Sequence, residues 1–359
     1  MRLLSVRLSN VGPFGDVTLR FETQPDPKSD EPALVTSRPV TVVFGGDGTG
    51  KTSFLAALAL TRPGYALPPL PSGRPRHEDD DPSFVVAEWH LGEDDPERPH
   101  PLLVTSPSAV LENESNEVAA IRRREQALFD RRAQQEGGYV FLAFSGARWF
   151  SRTANLLSVP DRTVLRYDVR HPVSFDDPAR ADLARETKQV LAYAQIGSAL
   201  GRDRAEFANL GRFETAAREV ADIMLAPFGF TYLGIGPTTL EPEARDATGR
   251  IVPFDGLPRP ARHLLAFGVL PLRALFAAYP MADAPRELEG VVAIDDVESQ
   301  QDPALLRSIA PLLRRALPNV QWILTTASTQ LALACDTSDV IALRRTTSSR
   351  VELGEGVLH

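Results

Sequence analysis

One eight-residue stretch constrains the fold of this chain more than any other, and it consists of Gly45, Gly46, Asp47, Gly48, Thr49, Gly50, Lys51 and Thr52. It matches G-x-x-x-x-G-K-[ST] at every fixed position. The apolar residues 42–44 before it are typical of a buried strand, and residues 53–60 after it are typical of a helix. Because glycines let backbone N–H groups turn around phosphate oxygens, this strand, loop and helix predict a phosphate cradle.

The side chains at the end of this stretch suit a nucleoside triphosphate. Lys51 is expected to reach the β- and γ-phosphates, and the Thr52 hydroxyl is expected to bind Mg²⁺. Ser53 opens the following helix, whose N-terminus carries a partial positive charge. The sequence therefore predicts that residues 45–53 bind ATP with Mg²⁺. The alternative is a glycine-rich turn without a ligand.

A second strand predicts the other half of such a site. Residues 291–294 are apolar, and Asp295 and Asp296 follow them. A buried strand with an acid at its tip is the usual partner of a phosphate loop, so Asp295 is expected to hold Mg²⁺. The neighbouring Asp296 is expected to orient the attacking water. The alternative is a strand that ends in an ordinary acidic turn.

The last hundred residues alternate between strand and helix patterns. We predict strands at 290–295, 320–325 and 339–343, and helices at 303–316 and 328–334. This order is typical of a parallel sheet with right-handed crossovers, and the strand before the phosphate loop is expected to join it. A nucleotide would then lie at the carboxyl ends of the strands.

The first part of the chain predicts an antiparallel sheet and several helices. Strands are predicted at 2–8, 16–21, 83–91, 102–105, 139–144, 230–235 and 250–254. Helical patterns cover 117–134, 178–226 with a break at Gly197–Gly201, and 260–278, where Pro260 suits a first helical position. The arginines of 117–134 favour a solvated helix face, and a nucleic-acid or partner contact is the alternative.

Composition excludes several classes of protein. The net charge of −8 over 359 residues argues against a protein that coats nucleic acid by charge, although a local basic groove stays possible. Cys335 is the single cysteine, so no internal disulfide is possible, and a buried thiol is expected. Since no apolar run approaches a membrane span and the N-terminus lacks a signal-peptide core, we expect a cytoplasmic protein without a membrane partner.

Four segments occur in an order that resembles the ABC-type ATPase heads of the RecF/SMC group, in particular compact ATPases related to the OLD family. They are Asn10–Phe14, the phosphate loop, Ile294–Pro303 and Leu317–Ser328. The family pattern has N-[FV]-x-x-F in its opening strand, then the phosphate loop, a signature helix, I-D-E-x-E-x-x-x-H-P and T-T-H-S. The resemblance touches the chain from end to end.

This resemblance implies an α/β phosphate-loop NTPase fold with a mixed central sheet, an antiparallel β subdomain and a helical insertion. We expect an N-terminal lobe at 1–144, the insertion and connecting strands at 145–256, and a C-terminal lobe at 257–359. In that family two heads sandwich two ATP molecules, and the signature helix of one head contacts the γ-phosphate held by the other.

The chain departs from the family pattern at three places. The catalytic Glu is replaced by the shorter Asp296, and the His after the Thr-Thr pair is Ala327. In the signature region, 257–267, Arg259 and Pro260 replace the usual Ser and Gly, while Arg262 and the apolar helix are kept. Pro260 has no N–H to offer, whereas Arg259 could itself supply charge to a phosphate. Nucleotide binding is therefore expected to be intact and hydrolysis weakened.

Arg148 belongs to residues 143–148, a stretch similar to a tyrosine-glycine-x-x-arginine segment of these compact ATPases. It is expected to approach phosphate or to couple the two lobes, and a surface position is the alternative. Gln134 and Gln135 are candidates for a switch glutamine.

Two functions follow from these features. The first is a slow ATPase that dimerises and drives a separately encoded effector, as in DNA-maintenance or antiphage systems, and the second is a nucleotide-bound scaffold with negligible turnover. A transporter ATPase is a weaker third alternative, because the opening strand and the spacing of the two lobes do not match that branch of the family. The residues between strand 139–144 and the signature region are too few for a long coiled coil between the two halves of the head. Too few residues follow Thr326 for a nuclease domain, so we expect a stand-alone head.

Overall fold

The computed structural model describes residues 1–21, 39–61, 83–91, 101–106, 109, 111, 114–136, 139–160, 182–347, 350–354 and 356–357. The loop predicted between strands 83–91 and 102–105, and residues 178–181 of a predicted helix, lie outside this range. The described helices are α1 (Lys51–Leu60), α2 (Asn116–Glu136), α3 (Leu183–Gly201), α4 (Ala208–Leu225), α5 (Arg259–Ala278), α6 (Ile309–Ala316) and α7 (Thr329–Ala332).

A six-stranded sheet forms the centre of the fold. Its strands are β3 (Val40–Phe44), β6 (Phe141–Phe144), β10 (Gly290–Ile294), β11 (Val320–Thr326), β12 (Val340–Arg345) and β13 (Val351–Gly354). Their order is β13-β12-β3-β11-β10-β6, and all neighbours are parallel except the β12–β13 pair. The phosphate-loop strand β3 therefore lies two strands from β10, and the mixed sheet that the sequence predicts is confirmed.

The central sheet separates two hydrophobic cores. In β10, Val292 and Ile294 pack into the core formed with α3, α4, α5 and α6. Val291 and Ala293 point to the opposite core, which contains α1 and an antiparallel sheet. Every residue of β10 is buried. A parallel strand that is covered on both faces needs a continuous apolar run, and β10 has one.

The antiparallel sheet is built from β1 (Arg2–Ser9), β2 (Asp16–Arg20), β4 (Phe84–His90) and β5 (Leu102–Thr105), in the order β2-β1-β4-β5. A buried amide joins it to the central sheet: Gln321 of β11 accepts from Leu3 N at 2.7 Å and donates to Leu3 O at 2.9 Å. This pair of hydrogen bonds satisfies a polar side chain that would be costly to bury alone.

The helical side contains an antiparallel pair, α3 and α4, followed by a small sheet. This sheet has the order β7-β8-β9 and consists of β7 (Thr231–Ile235), β8 (Pro242–Arg245) and β9 (Ile251–Pro253). The middle strand β8 was absent from the sequence prediction, because its residues Pro242, Glu243, Ala244 and Arg245 have low strand propensity.

Several predicted boundaries are wrong by a few residues. Helix α5 begins at Arg259, so Pro260 is its second residue and not its first. Helix α3 continues through Gly197 and ends at Gly201. The predicted helix 303–316 is a 3₁₀ turn over Pro303–Ser308 followed by α6, because Pro303 and the Asp302 cap start a tighter turn.

Helix α5 is the one described helix long and apolar enough to cross a membrane. However, 94% of its most apolar window is buried inside the protein, which is the environment of a core helix. It packs against α3 and α4, and Gly268 faces Val220 and Met224 of α4.

Gly268→Ala is expected to destabilise the protein. A Cβ at this position would lie 2.5 Å from Val220 Cγ1 and 3.0 Å from two Met224 atoms, so these side chains or the helix that carries them must shift. Overpacking of this kind costs about 1–3 kcal/mol in the free energy of unfolding, measured by urea denaturation. The control is Gly211→Ala in α4, whose Cβ would meet only Ser198 Oγ at 3.8 Å. Equal losses in both variants would contradict the packing argument.

Candidate nucleotide-binding site

The phosphate loop connects the end of β3 to the start of α1. Gly45 N donates to Thr326 O of the neighbouring strand at 3.1 Å, which fixes the start of the loop. Gly48 and Gly50 have φ of 75° and 87°, a region that side chains other than glycine rarely enter. A Cβ on Gly50 would also lie 2.5 Å from Pro13 Cγ, so the opening loop of the chain leaves room only for glycine.

Helix α1 begins beside this loop with an uncapped N-terminus. It begins at Lys51, and no side chain in the described part of the chain caps it. Its first N–H groups are therefore available to an anion. The Lys51 side chain is buried, and its Nζ donates to Gly45 O at 2.8 Å and Gly46 O at 3.1 Å. Its ammonium group is thus held across the loop.

Two threonines fix the first carboxylate after β10. Asp295 is 2% exposed, and its Oδ2 accepts from Thr52 Oγ1 at 2.8 Å. Its Oδ1 accepts from Thr325 Oγ1 of β11 at 2.6 Å. The phosphate loop and the strand motif are 243 residues apart in the chain, and this contact joins them.

Asp296 differs from Asp295 in conformation and environment. Its φ is 41°, and its N–H donates to Thr325 Oγ1 at 2.9 Å. Burial and the charge of Asp295 raise the pKa of the Asp296 carboxyl, while Lys51 acts in the opposite direction. A carboxylate with a raised pKa accepts a proton more readily than a carboxylate of ordinary pKa.

The cleft between these groups has a volume of about 440 Å³. Residues of the opening loop, the phosphate loop and the carboxylate turn line it: Gly12, Pro13, Asp47, Gly48, Gly50, Lys51, Thr52, Ser53 and Asp296. The cleft contains uncapped N–H groups, an ammonium and hard oxygen atoms, so its residues fit a nucleotide phosphate chain with Mg²⁺.

The three arginines singled out in the sequence lie at different places, and none lines this cleft. Arg148 is 3% exposed and lies beneath the carboxylate turn, so it is not a surface arginine. Arg259 is exposed at the first residue of α5. Arg262 is half-buried with its guanidinium 5.3 Å from the centre of the Phe150 ring.

Some site residues were missed in the sequence. Glu298 Oε1 accepts from Ala327 N at 2.6 Å, so a carboxylate fixes the backbone at the position of the family's histidine. Residues 145–160, which directly follow β6, contain no glutamine. Ser145 and Gly146 come first, and a Cβ on Gly146 would lie 3.2 Å from both Asp295 Oδ2 and Asp296 Oδ2. Gln134 and Gln135 precede β6 in α2, and their side chains lie outside the described residues.

Known structures identify the fold. The chain is similar to an SMC head bound to the C-terminal winged-helix domain of ScpA, with 14% identity, a TM-score of 0.55, and coverage of 99% of this chain and 97% of that chain. It is also similar to an SMC head with an extended coiled coil bound to the C-terminal domain of ScpA from Pyrococcus furiosus, with 14% identity, a TM-score of 0.50, and coverage of 98% and 95%.

The predicted resemblance to ABC-type ATPase heads of the RecF/SMC group is therefore confirmed as a fold, and so is the phosphate-loop fold class. No protein-family model matches the chain, and no curated protein sequence does.

Thr325→Val is expected to destabilise the protein and weaken Mg²⁺-dependent nucleotide binding. The Thr325 hydroxyl donates to Asp295 and accepts from Asp296 N, so its loss leaves two polar groups without a partner. An unsatisfied buried group costs about 1–3 kcal/mol, measured as the change in free energy of unfolding.

The control for this variant is Thr41→Val on the adjacent strand β3. Thr41 is equally buried, and its hydroxyl has no hydrogen-bond partner among the described residues. Its replacement is expected to be neutral or stabilising. Equal destabilisation by both substitutions would show that the Thr325 hydroxyl does not support the carboxylates.

Proposed function

We propose that this chain is an ATP-Mg²⁺-binding ABC-type ATPase head. The observation that carries the proposal is the hydrogen bond between Thr52 and Asp295, because it joins the two halves of a phosphate-loop site in one cleft. Thr52 and Asp295 offer oxygen ligands to Mg²⁺, and Lys51 with the N–H groups of α1 offers donors to phosphate oxygens. Bound Mg²⁺ would neutralise phosphate charge during phosphoryl transfer.

Asp296 is the proposed residue that orients the attacking water. It lines the cleft beside Lys51, and its raised pKa favours proton acceptance. Its side chain is one methylene shorter than the family's Glu, and Ala327 offers no imidazole. Both substitutions favour slow turnover.

The chain is further proposed to act as a dimer in which α5 of one copy covers the nucleotide of the other. Arg259 is exposed at the start of α5. Burial lowers the pKa of the Arg262 guanidinium, Asp255 raises it, and the charges of Arg259 and Arg152 lower it further, so Arg262 lies in the field of both arginines. The first turn of α5 contains no acidic residue. This positive end suits a phosphate group presented by a second copy.

A separately encoded effector is the proposed recipient of the nucleotide signal. The support is an analogy: both SMC heads with this fold are bound to a domain of ScpA. DNA maintenance and antiphage defence belong to the same analogy. The second candidate is a nucleotide-bound scaffold with negligible turnover, which Ala327 and the short Asp296 favour. Steady-state phosphate release, with and without candidate effectors, distinguishes the two.

Asp295→Asn and Asp296→Asn are expected to separate binding from turnover. Asp295→Asn removes a charge from the proposed Mg²⁺ ligand, so nucleotide binding should lose its Mg²⁺ dependence. Asp296→Asn should keep wild-type affinity and lower phosphate release, since it removes the proton acceptor. Each variant is the control for the other. If the two behave alike in both assays, the assigned roles are wrong.

Arg259→Ala is expected to reduce turnover roughly tenfold or more, because it removes a charge proposed to approach the phosphates of a second copy. The measurement is phosphate release per chain against protein concentration, which should rise with concentration in the wild type. Arg245→Ala, at an exposed arginine of β8, is the control. A fast wild-type rate, indifferent to concentration and to Arg259, would show that one subunit hydrolyses ATP unaided.

A further inference from the structure

Arg148 is a buried cation that the proposed chemistry does not use. It follows β6 and is 3% exposed. Charged side chains are rarely this buried unless they are paired. Among the described residues Arg148 makes no ion pair with a carboxylate, and its Nε has no partner. Burial lowers the pKa of its guanidinium to about 10, while Asp295 and Asp296 raise it, so the group is charged at neutral pH.

Backbone carbonyl groups hold this charge in place. Nη1 donates to Ser145 O at 2.7 Å and to Asp295 O at 2.5 Å, and Nη2 donates to Asp296 O at 2.9 Å. One guanidinium therefore joins the end of β6 to the turn after β10. This arrangement needs the planar fork of arginine, since a lysine ammonium cannot span the same carbonyls while stacking on a ring.

The turn that Arg148 holds has an unusual backbone. Asp296 and Gln300 have φ of 41° and 63°, values that are uncommon outside glycine and cost energy unless the surroundings enforce them. Gln300 Nε2 also donates to Arg148 O at 2.9 Å. Both the side chain and the main chain of Arg148 therefore stabilise the conformation that aims Asp296 at the cleft.

The guanidinium also contacts α5. Its central carbon lies 5.2 Å from the centre of the Phe267 ring, within cation–π range. Phe267 is one helical turn beyond His263, whose Nδ1 lies 3.0 Å from Arg259 O. Residues 259, 263 and 267 are spaced by four, so they lie along one side of α5 between its exposed end and Arg148.

We infer that Arg148 is a positioning residue that couples α5 to the carboxylate turn, so that a displacement of the helix changes the position of Asp296. Engagement of the Arg259 end by a second copy would then reach Asp296 without a direct contact. That last step rests on the proposed function, whereas the mechanical link between Phe267 and the turn does not.

The test is amide hydrogen exchange of the nucleotide-free protein in a double-mutant cycle of Arg148→Lys and Phe267→Leu. The reporters are the Ser299 and Gln301 amides, which donate to Asp296 O and Glu298 O within the turn. Each single variant is expected to accelerate their exchange about tenfold, and the double variant no more than the larger single effect. Multiplicative effects, or no effect of Phe267→Leu, would overturn the coupling.

Phe213→Leu is the matched control. Phe213 belongs to α4 and stacks on Phe276 of α5, with ring centres 4.4 Å apart. Phe276 is nine residues beyond Phe267 along α5, far from Arg148. This variant removes a ring contact near the C-terminal end of α5 and keeps the contact between Phe267 and Arg148, so the Ser299 and Gln301 amides should exchange at the wild-type rate. Acceleration equal to that of Phe267→Leu would mean general destabilisation and would overturn the inference. Arg148→Met, which keeps the apolar stem and removes the donors, serves if the lysine variant does not fold.

A second readout uses the loaded protein. Arg148→Lys should bind a fluorescent ATP analogue within about twofold of the wild-type Kd while turnover falls about tenfold, because Arg148 does not line the cleft. A Kd weakened as much as the turnover would overturn its positioning role. If the wild type hydrolyses no ATP, the proposed ATPase fails, and the exchange cycle still decides whether Arg148 couples α5 to the turn.

Discussion

The hydrogen bonds around Asp295 are the constraint on which the rest of the structure depends. Thr52 comes from the phosphate loop and Thr325 from β11, and both donate to this one buried carboxylate. A buried charge needs such donors, so β3, β10 and β11 must end at the same level of the sheet. The parallel register of these strands brings the loop, the carboxylates and the start of α1 to one edge.

The sequence predicted the parts of the fold that have a strong local pattern. The phosphate loop, the apolar strand β10 and the alternating strands and helices of the last hundred residues each carry a clear period or motif. Strand β8 carries none, because pairing with β7 and β9 stabilises it rather than propensity. The division into segments 1–144, 145–256 and 257–359 stays a prediction, and strands from the first and third segments share the central sheet.

Site residues could be predicted only where they belong to a motif that is continuous in the sequence. Lys51, Thr52, Asp295 and Asp296 stand in motifs, and their roles stay proposals. The burial of Arg148 could not be foreseen, because it results from carbonyl groups 147 and 148 residues away. The contact between Glu298 and Ala327 is likewise a meeting of two turns. Such contacts depend on tertiary structure and leave no period in the sequence.

The central claim is that the cleft between the phosphate loop and Asp295 binds ATP. Equilibrium titration of the wild type and Lys51→Ala with a fluorescent ATP analogue, with and without Mg²⁺, tests it most directly. The account predicts Mg²⁺-dependent binding by the wild type and no detectable binding by the folded variant, since a charge-assisted contact to phosphate is lost. Undiminished affinity in a folded Lys51→Ala variant would contradict the account.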